Sequence, residues 1–374
     1  MNEQETLNCI ALTKLSYFSL VGLHELYERL GSATEIMENH RNIRDLLPEA
    51  SPRLVDAFSD ISDAMHRAEA EYVWAQDNNI QVISINDSLY PQRLKECPDG
   101  PLVLYYKGNA DLNKQKVVSV IGTRHCTLYG QDLIRNFMRD MRQYCPEVLV
   151  VSGLAYGVDI HAHREALANG YPTVAVLAHG LDQLYPSSHR NTAIEMLGNG
   201  GLLTEYTSQT PGAKGNFIQR NRIVAGMADA TILVESAVKG GGMVTIGIAR
   251  DYNRDTFAFP GAVNMEYSQG CNKLIRDNEA ALITSAEDFV KAMGWLDDVE
   301  LSKAKKQGIE LQIFPDITED ERKVVDILQK VNNLQINILT VQSGIPINKL
   351  TTLLFSLEMK GIIKTMAGGC YHLI

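Results

Sequence analysis

From Cys9 to about Glu71 apolar residues recur at helical spacing, at Leu12, Leu15, Phe18, Leu20, Leu23, Leu26, Tyr27 and Leu30, before Gly31 interrupts the run. The pattern predicts a small unit of short helices over residues 1–75. Its apolar residues read as a core or a protein contact, although paired short helices also grip nucleic-acid backbones. After Trp74 the period shortens. Val82-Ile83-Ser84-Ile85 and Leu102-Val103-Leu104-Tyr105-Tyr106 read as strands, separated by Tyr90-Pro91 and the turn-rich Pro98-Asp99-Gly100-Pro101. From Lys116 strand-like and helix-like runs alternate: Lys116 to Ile121 then Gln131 to Tyr144, Val148 to Val151 then Val158 to Ala168, Thr173 to Ala178 then His189 to Leu197. Further strands are predicted near Leu202 to Thr204, Ala230 to Val234 and Thr256 to Phe259. Continuous apolar strands in βαβ repetition predict an α/β fold, an extended Rossmann-like, doubly wound parallel sheet over residues 76–298 with helices on both faces.

Residues 299–316 carry Lys303, Lys305 and Lys306 with little periodic hydrophobicity and read as a linker. Residues 317–374 follow as a separate small domain. Helices are predicted at about Thr318 to Val331, Ile336 to Ser343 and Ile347 to Lys360, then a short strand Ile362-Ile363-Lys364, a Gly368-Gly369 turn and Tyr371-His372-Leu373. Three helices and a hairpin make a winged-helix-like pattern, in which the third helix often reads DNA. Here that helix offers only Lys349 and Lys360, so a protein-contact or dimerisation role stands beside DNA readout.

The 374 residues suit two to three domains, and 45 % hydrophobic with 21 % charged residues argues against disorder. No apolar run approaches the ~20 residues of a membrane-spanning helix, and the N-terminus is acidic where a signal peptide is basic, so a cytoplasmic protein without membrane insertion is expected. Six scattered cysteines without a C-x-x-C suggest reduced thiols rather than disulfides or zinc. The net charge of −10 is unevenly spread: 8 basic against 17 acidic side chains in residues 1–100, 18 against 21 in 101–300, and 9 against 7 in 301–374. Any anion-binding surface must therefore be a local groove in the last two segments.

In an open parallel sheet, ligands bind beyond the C-terminal strand ends, where loops lead into helix N-termini with unpaired N–H groups. Four loops suit that role: Gly122-Thr123-Arg124 with Tyr129-Gly130, Ser152-Gly153-Leu154-Ala155-Tyr156-Gly157, Gly180-Leu181-Asp182 with Tyr185-Pro186, and Lys239-Gly240-Gly241-Gly242-Met243-Val244-Thr245. Joined by Arg124, Arg190, Arg220, Arg222 and Lys239, they predict a phosphate-binding groove. The first loop, G-T-R-H-C-T-L-Y-G, lacks the G-x-G-x-x-G spacing and there is no Walker A motif, so no nucleotide cofactor is expected. An arginine after the tight-turn glycine is a forked donor that suits an extended phosphate backbone, or else a structural ion pair. In Phe217-Ile218-Gln219-Arg220-Asn221-Arg222-Ile223, the arginines can bond phosphates and Asn221 can read a base edge or fix the loop. Phe217 can stack on an unpaired base or belong to the core. Glu205 and Glu235, at strand ends, are expected to orient neighbouring arginines rather than to catalyse. Asp159, His161 and His163 do not make a metal site, because at a helix start only the first and third share a face; Asp159 is expected to hold backbone N–H groups.

The runs V-V-S-V-I-G-T-R-H-C-T-L-Y-G, V-S-G-L-A-Y-G-V-D-I-H-A-H, G-L-D-Q-L-Y-P, F-I-Q-R-N-R-I-V-A-G, K-G-G-G-M-V-T, F-P-G-A-V and S-Q-G-C-N-K-L-I, in this order over about residues 80 to 290, resemble the DNA processing protein A family, also called DprA or Smf. The flanking units resemble that family's own: an N-terminal helical domain of the SAM or helix-hairpin-helix kind and a C-terminal winged-helix-like domain. The resemblance implies a non-enzymatic, homodimeric single-stranded DNA binder that protects incoming DNA in natural transformation and loads the RecA recombinase onto it. A single-strand binding protein is a further implied partner. Carried onto this chain, the DNA pocket comprises Gly122, Thr123, Arg124, Gly153, Arg190, Phe217, Arg220, Asn221, Arg222, Lys239, Gly240, Gly241, Gly242 and Thr245. Two departures stand out: Thr123 replaces a common serine, and Ser187-Ser188-His189-Arg190 stands where lysines are frequent. An alternative class is the nucleotide-cleaving phosphoribohydrolases, whose P-G-G-x-G-T-x-x-E loop K-G-G-G-M-V-T resembles. Here Thr245 is followed by Ile246, Gly247 and Ile248, and the acid is missing.

Overall fold

The structure is a computed structural model describing residues 3–15, 20–295, 317–331, 334–366 and 370–373. Packing divides the chain into two units, residues 1–299 and 300–374. The expected linker over 299–316 and the Gly368-Gly369 turn lie outside the described residues.

The first unit opens with α1 (Glu3–Lys14), α2 (Leu20–Leu30), α3 (Ala33–Glu38), α4 (Ile43–Leu46), α5 (Pro52–Ser59) and α6 (Ser62–Asp77). Glu5 of α1 accepts the Ala33 and Thr34 N–H groups, so a half-buried carboxylate closes the start of α3. Ile10, Leu12, Leu26, Ile36 and Phe58 from these helices share one apolar cluster with Ile83, Leu104 and Val174 of the sheet.

Nine strands follow: β1 (Gln81–Ser84), β2 (Val103–Gly108), β3 (Val117–Ile121), β4 (Leu149–Ser152), β5 (Thr173–Val176), β6 (Gly200–Thr204), β7 (Ala230–Leu233), β8 (Asp255–Ala258) and β9 (Ala281–Leu282), in the spatial order β1-β2-β6-β5-β4-β3-β7-β8-β9. From β6 to β9 every pairing is parallel. The edge pair departs from the all-parallel expectation: β1 pairs with β2, and β2 with β6, antiparallel. Only α7 (Gln92–Lys95) lies between β1 and β2, too little helix for a parallel crossover.

The parallel strands alternate with α8 (Leu128–Tyr144), α9 (Val158–Ala168), α10 (Arg190–Gly198), α11 (Lys214–Gly226), α12 (Gly241–Asp251), α13 (Glu266–Arg276) and α14 (Ala286–Ala292). Strand alternation splits β3 between two cores. Val118 and Val120 pack with Phe137 and Met141 of α8 and Phe289 of α14, whereas Val117 and Ile121 join Ile223 of α11, Ile246 of α12 and Leu274 of α13. Helices therefore cover both faces. Chain order runs β3 to β6 in one direction, then returns past β3 to β7, which makes the β3/β7 boundary the topological switch point.

The second unit consists of α15 (Glu319–Lys330), β10 (Leu334–Gln335), α16 (Ile336–Ser343), α17 (Ile347–Met359), β11 (Ile363–Met366) and β12 (Cys370–Leu373), with strand order β10-β12-β11. Thr318 and Glu321 form a capping box on α15, and left-handed Gly344 ends α16. Leu328, Leu339, Leu350, Leu354 and Leu357 make the core. Both lysines of the third helical segment are engaged by carboxylates of α15: Lys349 with Asp320 at 2.5 Å and Lys360 with Glu321 at 2.9 Å. Among the described residues, no helix is long and apolar enough to cross a membrane.

Candidate functional site

A cleft of about 290 Å³ opens at the switch point, beyond the C-terminal ends of β3, β4 and β7. One wall is the loop after β3, with Gly122, Thr123 and Arg124; another is the loop after β4, with Gly153 and Ala155. The first turn of α12, with Gly240, Gly241, Gly242 and Thr245, makes a third. The Gly241 and Gly242 N–H groups, in the first turn, have no acceptor inside their own helix and form a ready anion seat, whereas the Gly240 N–H donates to the Ala237 carbonyl at 2.9 Å. The last wall is α11, where Phe217, Arg220, Asn221 and Val224 recur at the three- and four-residue spacing of one helix face.

Gly122 allows the β3 loop to pass under its neighbour: a Cβ there would lie 2.7 Å from the Glu235 carbonyl oxygen. That same carbonyl accepts the Thr123 N–H at 2.7 Å. The buried Glu235 carboxylate accepts the Thr127 N–H at 2.8 Å and its hydroxyl at 2.6 Å, fixing the start of α8. Glu235 thus holds the loop carrying Arg124, rather than holding an arginine itself.

Arg220 forms the floor. Its side chain is buried, donates to the Val176 carbonyl and leaves Nε without a hydrogen-bond partner. Gly153 lies against this guanidinium, in space that any Cβ would fill. Burial lowers the Arg220 pKa, and the Asp159 charge opposes that fall. Asp159 is itself pushed up by burial, against the pull of Arg220, and its carboxylate accepts the Ala155 N–H at 3.4 Å. The residue serves the backbone at a helix start, as its position suggested.

Two histidines brace the β4 loop from behind. Leu154 adopts a left-handed backbone with φ 55°. Its N–H donates to His163 Nε2 at 3.3 Å, and its carbonyl meets His189 Nδ1 at 2.9 Å. His163 Nδ1 in turn pairs with the Thr173 hydroxyl at 2.7 Å. Burial, with the charge of Arg220 added, holds His163 down at about 3, so the ring is neutral and its Nε2 is free to accept.

Arg124 is exposed, with its guanidinium over the half-buried Phe217 ring, and the Tyr185 ring meets Phe217 edge-on at 5.7 Å. Among the described residues no carboxylate pairs with Arg124, Arg190, Lys214 or Lys239, whereas Arg93, Arg135, Arg250 and Arg276 are all paired. Arg190, at the start of α10, and Lys239 are exposed outside the cleft lining. Arg222 is not brought to the cleft. Two residues beyond Arg220 it faces the other side of α11, buried, with Nη2 2.5 Å from Glu205. Here a strand-end carboxylate does orient an arginine.

Sequence reading missed Ser236, Ala237 and Tyr267 in the lining. The first two directly follow β7 and Glu235, a position that the strand-end rule covers. Tyr267 comes from α13, drawn in because its carbonyl accepts the Ser236 N–H at 2.6 Å; no local signal marks it. Beside it lies an apolar hollow lined by Leu128, Tyr129, Pro260 and Met265, next to the 86 % exposed Val263.

Fold and cleft together define a doubly wound α/β protein with an anion-seeking, aromatic-edged site at its switch point. The sequence profile of the DNA recombination-mediator protein A family matches residues 81–294, more than half of the chain, and the chain belongs to that family. DNA processing protein DprA of Streptococcus pneumoniae is 39 % identical over 208 residues, 55 % of this chain and 72 % of that protein. The X-ray structure of the S. pneumoniae protein aligns with a TM-score of 0.64 at 32 % identity, covering 77 % of this chain and 97 % of that one. DNA processing protein A from Helicobacter pylori, whose structure is described for a unique single-stranded DNA binding mode, aligns at 0.53 and 28 % identity over 59 % of this chain and 97 % of that one.

Proposed function

We propose that this chain binds single-stranded DNA in the switch-point cleft during DNA uptake and recombination, and does so without catalysis. The observation that carries the reading is the meeting of the exposed Arg124, the Phe217 ring and the first turn of α12 in one cleft. Backbone N–H groups and Arg124 take phosphate; Phe217 stacks on a base; Asn221 contacts its edge. A cleft of this size admits one nucleotide, and stacking needs a base face that duplex DNA keeps covered. Binding dominated by phosphate contact and stacking predicts affinity that falls with salt and depends weakly on sequence. The Helicobacter relative's described single-stranded binding supports the same reading. Arg190, Lys214 and Lys239 extend the basic surface outside the cleft.

We further infer a homodimer and transfer of the bound strand to the RecA recombinase, as the family resemblance implies; the exposed apolar hollow around Leu128, Tyr129, Val263 and Met265 supports placing the dimer contact there. The flanking units are read as a SAM-like helical domain and a winged-helix-like domain. With Lys349 and Lys360 both paired, the second unit suits a protein contact better than a DNA groove. No observation favours nucleotide cleavage: the position of the missing acid is Ile248, and Asp159, the one carboxylate among the described cleft residues, is committed to the Ala155 N–H.

The test is hydrogen exchange with and without single-stranded and duplex oligonucleotides. Protection of the amides of Arg124, Gly241 and Gly242 by single strands alone is the expected result; no protection there by either form would overturn the assignment.

A further inference from the structure

A strand held in the switch-point cleft must leave it over one of the walls. The loop after β4 lines the cleft through Gly153 and Ala155, and the next residue, Tyr156, stands outside the lining with 45 % of its surface exposed. Its ring is nonetheless held. It meets the buried His189 ring edge-to-face with centroids 5.0 Å apart, and His189 is fixed in turn by its Nδ1 on the Leu154 carbonyl at 2.9 Å. An exposed aromatic ring already set in one orientation gives up little freedom when a base stacks on it.

The loop between β5 and α10 joins this ring to the cleft. Tyr185, itself exposed, meets Phe217 edge-on at one end of the loop; His189 meets Tyr156 at the other. Cations lie along the same path. Arg190 directly follows His189 and is exposed, and Arg164 of α9, also exposed, donates from Nε to the Thr192 hydroxyl at 3.2 Å, which sets it beside the start of α10. Among the described residues no carboxylate pairs with either arginine, and Glu165, next to Arg164 in the chain, lies 3.4 Å from Arg135. We propose that Tyr156 is a second base platform for the same DNA strand, with Arg190 and Arg164 on the phosphates that flank the stacked base. This rests on the single-strand reading of the cleft. Every base has a face to stack, so the platform adds affinity for longer strands without adding sequence preference.

The experiment titrates oligo(dT) with the full chain by fluorescence anisotropy over a salt series. Tyr156→Ala is expected to weaken binding by about fivefold or more, the order of one base–aromatic stack, with the salt slope unchanged. Tyr156→Phe, which keeps the ring, restores the affinity, which a loss of structure would not allow. Arg190→Ala and Arg164→Ala each lower the slope by about one. Wild-type affinity in a folded Tyr156→Ala protein would overturn the platform, and so would an equal loss in Tyr156→Phe, which would make the hydroxyl the contact instead of the ring face. Unchanged slopes at both arginines would overturn the phosphate contacts. If Tyr156→Ala melts early, photo-cross-linking of the wild type decides, with one 5-iododeoxyuridine moved along the oligonucleotide: a cross-link at Tyr156 supports the platform, and cross-links at no position to Tyr156 overturn it. Arg124→Ala separates the two claims. Binding lost there and unchanged in Tyr156→Ala leaves the cleft standing alone; binding kept there and weakened in Tyr156→Ala overturns the cleft and leaves the platform.

Discussion

The Arg124 guanidinium carbon lies 5.4 Å from the centre of the Phe217 ring. The loop after β3 and the first turn of α11 meet only through the fold, and they bring an exposed cation to an aromatic face. A base stacked on Phe217 thus has a phosphate donor within reach. Phe217→Ala is expected to weaken single-strand binding by about 1–3 kcal/mol while leaving its salt dependence intact, because stacking releases no counterions. Filter binding over a salt series checks both parts.

Glu235 ties two loops of the cleft through its carboxylate and its carbonyl. Glu235→Ala leaves the Thr127 N–H without its acceptor and is expected to destabilise the protein by about 1–3 kcal/mol. Chemical denaturation measures the loss, and hydrogen exchange should show faster exchange at the start of α8.

Glu321 sets a pH limit on the second unit. Burial pushes its carboxyl up, but bonds from Ser356, the Thr318 N–H and Lys360 hold it down at about 2. Its folded pKa is thus depressed below the model-peptide carboxylate range. The stabilisation is complete above about pH 4.5 and is lost as pH falls toward 2. NMR of the whole chain should show signals of residues 317–366 broadening in that window, and Glu321→Gln should remove the dependence along with part of the stability at neutral pH.

Val263 and Met265 are 86 % and 59 % exposed beside the apolar hollow. A patch of this kind marks an interaction surface. Val263→Glu with Met265→Glu is expected to turn a dimer into a monomer at micromolar concentration, read by light scattering, with the melting temperature of the monomer little changed. A wild-type monomer would contradict the dimer.

Much of the sheet was legible because buried parallel strands read as continuous apolar runs, as in Val117–Ile121, and because glycines follow them. The direction of β1 and β2 was not, since pairing sense leaves no mark in a four- to six-residue apolar run. In the site, Gly122, Arg124 and the Gly240–Gly242 turn were readable from their place after strands. Arg222 shows the limit: a cluster of polar residues identifies a helix near a ligand, but the helical period alone sends Arg220 and Arg222 to different faces. Tyr267 was beyond reach, because the backbone bond from Ser236 and the ring contact with His125, both products of the fold, bring it in.

The most direct measurement is an anisotropy titration of wild type and Arg124→Ala with a single-stranded oligonucleotide at two salt concentrations. Arg124 is exposed and has no carboxylate partner among the described residues, so its removal should leave melting unchanged. The account predicts at least tenfold weaker binding at low salt, by the order of magnitude of one charged phosphate contact, and a salt slope smaller by about one. Equal affinity and equal slope in the two proteins would contradict it.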